Sequence, residues 1–252
     1  MKTGVLENLL PFWDKDTLAE IKEESPLRWV KAMNNKGIVL CGLKKFSEAA
    51  GAFAEAITLA DEPWKCKILI NAARNSFLSG ESAGASKLLI RAYDILASGA
   101  MREKASLLGH LHFLKGEMLY QGGNRSRAWD EFRKADHSFD GAMDNLGIGR
   151  SCVELARIHI AENHLLSAWN CLKKAESRLK GYGPEEALGV MVCKAVAFYH
   201  SGKIEEAQRM LGQIYQLYEE FGQGKYALPQ ILDAYLDIHS RTTKYVIDHG
   251  LR

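Results

Sequence analysis

Apolar residues recur along this chain at helical spacing, and small residues recur with them. In FSEAAGAFAEAI, residues 46–57, Phe46, Ala49, Phe53, Ala56 and Ile57 share one helix face. Ala has the highest intrinsic helix propensity, and Gly51 is the one interior liability, costing about 1 kcal/mol. Small residues on the apolar face let a second helix axis come close, while the two Phe side chains fill the space beside it. The preceding MNNKGIVLCGL carries a similar stripe through Gly37. Together the two segments predict a helix–turn–helix hairpin.

The hairpin then repeats. The small residue at Ala49 returns as Ala85, Ala128, Ala168 and Ala207, at spacings of 36, 43, 40 and 39 residues. Four residues after each stand Phe53, Leu89, Phe132, Leu172 and Leu211; seven after stand Ala56, Ala92, Ala135, Ala175 and Ile214. Twelve before stand Gly37, Ala73, Gly116, Ala156 and Ala195. An internal period of this size implies stacked helical hairpins and no β-sheet. The expected helix pairs are 27–43/46–60, 64–79/82–98, 102–121/125–139, 145–162/165–180 and 185–201/204–220, with a shorter pair near 226–238/241–249. Thr17-x-x-Glu20 reads as a capping box for a leading helix. Ser25-Pro26 and Gly183-Pro184 place proline at a helix start. Gly80, Gly122, Gly123 and Gly202 fall where the chain must turn.

This pattern resembles the tetratricopeptide repeat family, whose signature sets small residues near positions 8, 20 and 27 and a large apolar one at 24. The first copy matches best, with Gly37, Ala49, Phe53, Ala56 and a slightly late Pro63. Later copies lose the proline, and their period exceeds the usual 34 residues. Periods near 40 look like the stacks in bacterial signal-responsive transcription activators. The resemblance covers roughly residues 28–220 and implies an all-α fold, a right-handed superhelical stack of antiparallel hairpins. The chain is expected to be a single domain over 1–252: an N-terminal helical cap at 1–26, five hairpins over 27–220, and C-terminal capping helices over 221–252. Phe12, Trp13, Leu18 and Ile21 are expected to cover the first hairpin. The stripe Leu228, Ile231, Leu232, Tyr235 and Leu236 needs either an internal partner or a second subunit, which makes a homodimer through a terminal repeat an open alternative.

Composition narrows the function without naming it. Hydrophobic residues at 47% and charged residues at 25% of 252 are ordinary for a soluble protein. A formal net charge of +2 argues against nucleic acid as the main partner. Five cysteines with no CxxC read as reduced thiols rather than a disulfide framework, so cytoplasm is the expected compartment. TGVLENLLPFW is too short and interrupted for a signal-peptide core, and no stretch approaches the roughly 20 apolar residues of a membrane span.

Candidate chemistry is sparse. His110 and His112 are two apart and diverge on a helix. His159, Glu162 and His164 do not form H-E-x-x-H, and an i, i+5 pair of histidines is poor ligand spacing on one helix. NLGIGRS lacks a third glycine, and Gly224-Lys225 is followed by Tyr226 where a phosphate loop needs Ser or Thr. No catalytic residue, metal site or cofactor is expected, and the chain is read as a non-enzyme.

In the tetratricopeptide family the first helix of each pair lines the concave groove. The resemblance carries that role to Lys31 and Asn34 in copy one, to Lys67, Arg74 and Phe77 in copy two, and to His110, Phe113, Glu117, Tyr120 and Gln121 in copy three. Copies four and five supply Arg150 and Arg157, then Tyr199 and His200. Lys31 and Asn34 match the start of the carboxylate clamp of chaperone-binding members, but Ile70 and Phe113 depart from it, so that ligand is not expected. Basic groups with aromatics imply a protein or peptide partner of acidic character. Arg74 and Arg157 would grip two acidic groups, unless Glu117 between them neutralises one. The expected role is a non-enzymatic interaction module, an adaptor or regulatory scaffold. The alternative is a signal-sensing effector domain holding a small molecule or short peptide.

The register itself is testable. Ala128→Leu is expected to lower stability by about 1–3 kcal/mol through overpacking, while Ala142→Leu, outside the motif, stays near wild type. An unchanged urea midpoint for the first variant would overturn the register at that copy.

Overall fold

The computed structural model describes residues 6–99 and 101–221. Among them no strand forms. A short 3-10 helix at Leu10–Trp13 leads into eleven α-helices. These are α1 (Lys15–Glu24), α2 (Pro26–Gly42), α3 (Phe46–Leu59), α4 (Glu62–Leu78), α5 (Ser82–Ser98) and α6 (Lys104–Gln121). There follow α7 (Arg125–Gly141), α8 (Asn145–Ala161), α9 (Leu165–Leu179), α10 (Pro184–His200) and α11 (Ile204–Phe221). The ten helices from α2 on start and stop within two residues of their expected spans. The expected pair near 226–238/241–249, with its apolar stripe, lies outside the described residues.

Two compact units divide at Asp144/Asn145. The first holds α1 and the hairpins α2–α3, α4–α5 and α6–α7; the second holds α8–α9 and α10–α11. Helix starts follow local chemistry. Ser25 Oγ accepts from the Arg28 N–H with Pro26 at the first position of α2, and Asp61 accepts from the Trp64 N–H at 3.1 Å at the start of α4. Pro184 opens α10 as expected. At α1 the cap is Asp14 rather than Thr17: Asp14 Oδ1 accepts from the N–H groups of Asp16 and Thr17, both at 2.9 Å. A carboxylate three residues earlier satisfies the same orphan donors and starts the helix one turn sooner. Trp13, Leu18 and Ile21 pack on the first hairpin as expected, whereas Phe12 is 69% exposed.

One turn recurs at the ends of α2, α4, α6, α7, α8 and α10. A residue enters the left-handed region: Lys44 (φ 61°), Gly80 (92°), Gly123 (79°), Met143 (55°), Asn163 (59°) and Gly202 (73°). The N–H after it returns to a carbonyl five residues back, as from Lys45 to Leu40, Glu81 to Ser76, Asn124 to Leu119, Asp144 to Phe139, His164 to His159 and Lys203 to Phe198, at 2.8 or 2.9 Å. This is the Schellman arrangement, which satisfies the last carbonyls of a helix while reversing the chain. Gly122, expected as a turn residue, keeps φ −74° as the C-cap, and Gly123 takes the left-handed position.

Between paired helices the repeat signature becomes a rule of volume. Ala49, Ala85, Ala128, Ala168 and Ala207 are all fully buried. A Cβ at Gly37 would lie 2.6 Å from the Phe53 ring, and one at Gly116 would lie 2.7 Å from Phe132. The other copies set Ala where Gly stands and Leu where Phe stands: Ala73 with Leu89, Ala156 with Leu172, Ala195 with Leu211, all buried. The methyl missing from one helix is the room taken by the ring of the next. A second tier follows the same logic, with Gly109 under Phe139 and Gly149 under Leu179.

The rule predicts a change of sign. In the wild-type background Gly116→Ala gains about 1 kcal/mol of helix propensity but meets Phe132, at an overpacking cost of about 1–3 kcal/mol. In a Phe132→Leu background, which restores the pair found in the other copies, the same substitution is expected to stabilise. A double-mutant cycle by urea unfolding reads the coupling, and strict additivity would show that the two sites do not constrain each other.

Candidate functional site

Lys31 projects from α2 and Lys67 from α4, both exposed, and their ammonium groups lie 5.4 and 4.8 Å from the centre of the Trp64 ring. Trp64 stands in the first turn of α4, its indole partly covered by the first hairpin's core. No ion pair among the described residues involves either lysine. The arrangement is a cationic patch backed by an aromatic face. Trp64 was not among the expected groove residues; its i, i+3 spacing to Lys67 was the available signal.

The expected arginines are neutralised at home. Arg74 Nη2 lies 2.9 Å from Glu117 Oε2, an ionic contact between α4 and α6 without an aligned N–H donor. Arg157 Nη1 donates to Glu154 one turn back on α8, at 2.9 and 3.1 Å. Arg150 of α8 forks onto Glu186 of α10, its Nε 3.1 and 3.2 Å from the two oxygens. Of the two arrangements open for Arg74, internal neutralisation by Glu117 is the one observed.

The remaining expected residues divide between packing and surface. Asn34 is 2% exposed, and its Oδ1 accepts from Asn71 Nδ2 at 2.8 Å. Its amide therefore ties α2 to α4 and is not a groove contact. Phe77 is half-buried against the second hairpin's core. Phe113 meets Phe132 edge-on at 5.4 Å, and His110, exposed on its other side, meets Phe139 at 5.0 Å. Tyr120 is half-buried; Gln121 and His200 are exposed at helix ends. Tyr199 packs into the second unit's core with its ring edge-on to His200 at 5.9 Å. A depression of about 280 Å³ between α3, α4 and α5, walled by Ala50, Ala54, Ile57, Leu88 and Arg91, includes none of the expected groove residues.

Titratable groups gather at two further places. On the α6–α7 hairpin, Glu131 is 5% exposed and accepts from His112 Nδ1 at 2.7 Å, Lys134 Nζ at 2.9 Å and Lys115 Nζ at 3.1 Å. Burial alone pushes its carboxyl up; the hydrogen bonds from His112, Lys134 and Lys115, with the Lys115 charge, outweigh burial and hold it down at about 2. His112-x-x-Lys115 on one helix facing Glu131-x-x-Lys134 on the next was the legible signal. In the second unit, His159, Glu162 and His164 each bring a ligand-type atom within 4.8 Å of the others. Burial pushes the His159 imidazole below its usual range.

The folded Glu131 carboxyl is depressed, so its stabilisation is fully present above the ordinary 4.5 and lost as pH falls toward about 2. Glu131→Gln is expected to cost roughly 2–4 kcal/mol near neutrality, and the difference from wild type should shrink across that acid window. Urea melts at stepped pH test this. A gap that stays constant from neutrality to pH about 2 would remove the ionised carboxylate from the account.

No described helix is long and apolar enough to cross a membrane. No protein-family model matches the chain, and no curated protein sequence matches it. Solved structures do. BtubC (BKLC) from P. vanneervenii superposes with a TM-score of 0.65 at 13% identity, over 88% of this chain and 92% of that one. The nearly identical TPR-like repeats of a putative kinesin light chain from Podosopora anserina give 0.57 at 18% identity, over 80% of this chain and 100% of that one. A variant of those repeats gives 0.57 at 20%, over 76% and 95%. At such identities the likeness carries the fold alone. In fold, the chain is a tetratricopeptide-like helical-repeat protein.

Proposed function

We propose that the chain is a non-enzymatic protein-interaction module, an adaptor or regulator, that takes an acidic peptide segment of a partner on the Lys31–Trp64–Lys67 face of its first unit. The observation that carries this reading is the contrast among its cations. Arg74, Arg150 and Arg157 spend their charge on carboxylates of the chain itself, while Lys31 and Lys67 are exposed and have no ion-pair partner among the described residues. An arriving carboxylate finds two ammonium groups gathered around one indole, which supplies apolar contact. Scattered cysteine spacing supports a cytoplasmic setting.

An array of acidic and neutral peptides, probed with the full chain, tests the proposal. Wild type is expected to favour acidic peptides, and the preference should weaken as salt rises, because the contacts are exposed. Lys31→Glu/Lys67→Glu should abolish it with the circular dichroism unchanged. Arg150→Ala, whose charge is already matched within the chain, should leave it intact. Equal acidic-peptide binding by the double variant would sink the reading.

A further inference from the structure

The turn that closes α8 holds a group that the proposed binding face does not use. In a Schellman turn the long hydrogen bond often brings the side chain three positions inside the helix end against the one two positions beyond it. At α10 this pair is Phe198 and Lys203, with the ammonium 6.0 Å from the ring centre. At α8 the pair is His159 and His164, their ring centres 6.1 Å apart. On a straight helix, residues five apart diverge. Asn163, at φ 59°, reverses the chain between them and removes that divergence. Glu162 stands beside them, its Oε2 3.5 Å from His164 Nδ1.

No other Schellman turn in the described residues pairs two metal-ligating side chains of this kind. The corresponding pairs are Leu40 with Lys45, Ser76 with Glu81, Leu119 with Asn124, Phe139 with Asp144, and Phe198 with Lys203. The location adds a second, independent argument. The group sits at the C-terminal end of α8, the negative end of the helix dipole, which favours a cation. Ligand bonds of about 2.0–2.2 Å place donor atoms closer together than the observed 4.8 Å limit. His164 and Glu162, with side chains 63% and 40% exposed, can supply that closure by rotamer adjustment. Two imidazoles and one carboxylate suit a borderline ion such as zinc; calcium and magnesium prefer all-oxygen shells.

We propose that His159, Glu162 and His164 form a three-ligand site for a divalent transition-metal ion of the zinc class, with its remaining coordination positions open to solvent. The site clips the end of α8 to the start of α9. It does not depend on the peptide-binding reading.

Titration of the full chain with Co(II), followed in the visible d–d bands and then displaced by Zn(II), tests it. One ion per chain is expected, with melting raised by Zn(II) through preferential binding to the folded state. His164→Ala and Glu162→Gln change exposed positions, so the metal-free proteins should keep the wild-type circular dichroism and melting temperature. Each should weaken Co(II) binding by roughly tenfold or more, having lost one of three ligands. Asn163→Gly, which keeps the left-handed turn, should bind as wild type does. The proposal is overturned by the absence of saturable Co(II) binding, or by a titration that His164→Ala leaves unchanged. It is equally overturned if the Co(II) spectrum is dominated by thiolate charge transfer that survives both variants, which would assign the metal to cysteines.

Discussion

The closeness of paired helices is the constraint on which the rest of this structure depends. Where Gly37 and Gly116 give up a methyl, Phe53 and Phe132 occupy the space; where Ala73, Ala156 and Ala195 keep it, a leucine suffices. The sum of the two side chains is held nearly constant while each member varies. Packing at interior density tolerates exchange of volume between neighbours far better than a net change. Each hairpin thereby presents its two helices at a spacing its neighbours can accept. Stacking such units within a compact body needs no long-range pairing beyond adjacent repeats.

Charge is arranged on that scaffold with similar economy. Glu117 answers Arg74 across α4 and α6, Glu186 answers Arg150 across α8 and α10, and Glu131 collects His112, Lys115 and Lys134 within one hairpin. A formal charge of +2 therefore conceals strong local differences. The exposed lysines beside Trp64 stand out because the other expected cations are matched. That contrast is a property of contacts between helices, and the proposal of an acidic partner for the first unit rests on it.

The Schellman turns show how one backbone device serves unlike side chains. Three of the six left-handed positions in these turns are glycine; of the others Asn163 is a residue type that favours this conformation, while Lys44 and Met143 carry no such mark. The same backbone hydrogen bond joins Leu40 and Lys45 in one place and His159 and His164, whose rings meet, in another. A spacing that is unpromising on a straight helix becomes a contact once the chain reverses.

Across the described residues, the helix limits from α2 on and the buried small residues were legible in the sequence, because local propensity, capping and the spacing of apolar positions all agree on them. The rank order of Gly with Phe and Ala with Leu was also present in the register, though its meaning as shared volume needed the facing helix. The contacts of the expected groove residues were only partly legible. Lys31 and Lys67 are exposed, but Asn34 was turned into a helix–helix hydrogen bond by Asn71, and Arg74, Arg150 and Arg157 were taken up by carboxylates from other turns or other helices. Trp64 lay outside the register; it stands one turn from Lys67 on α4 and met Lys31 only when α2 packed on α4. A repeat motif records which face of a helix is buried, since burial repeats with the helical period. Which charges meet depends on side chains reaching across neighbouring helices, and no period within one helix encodes that.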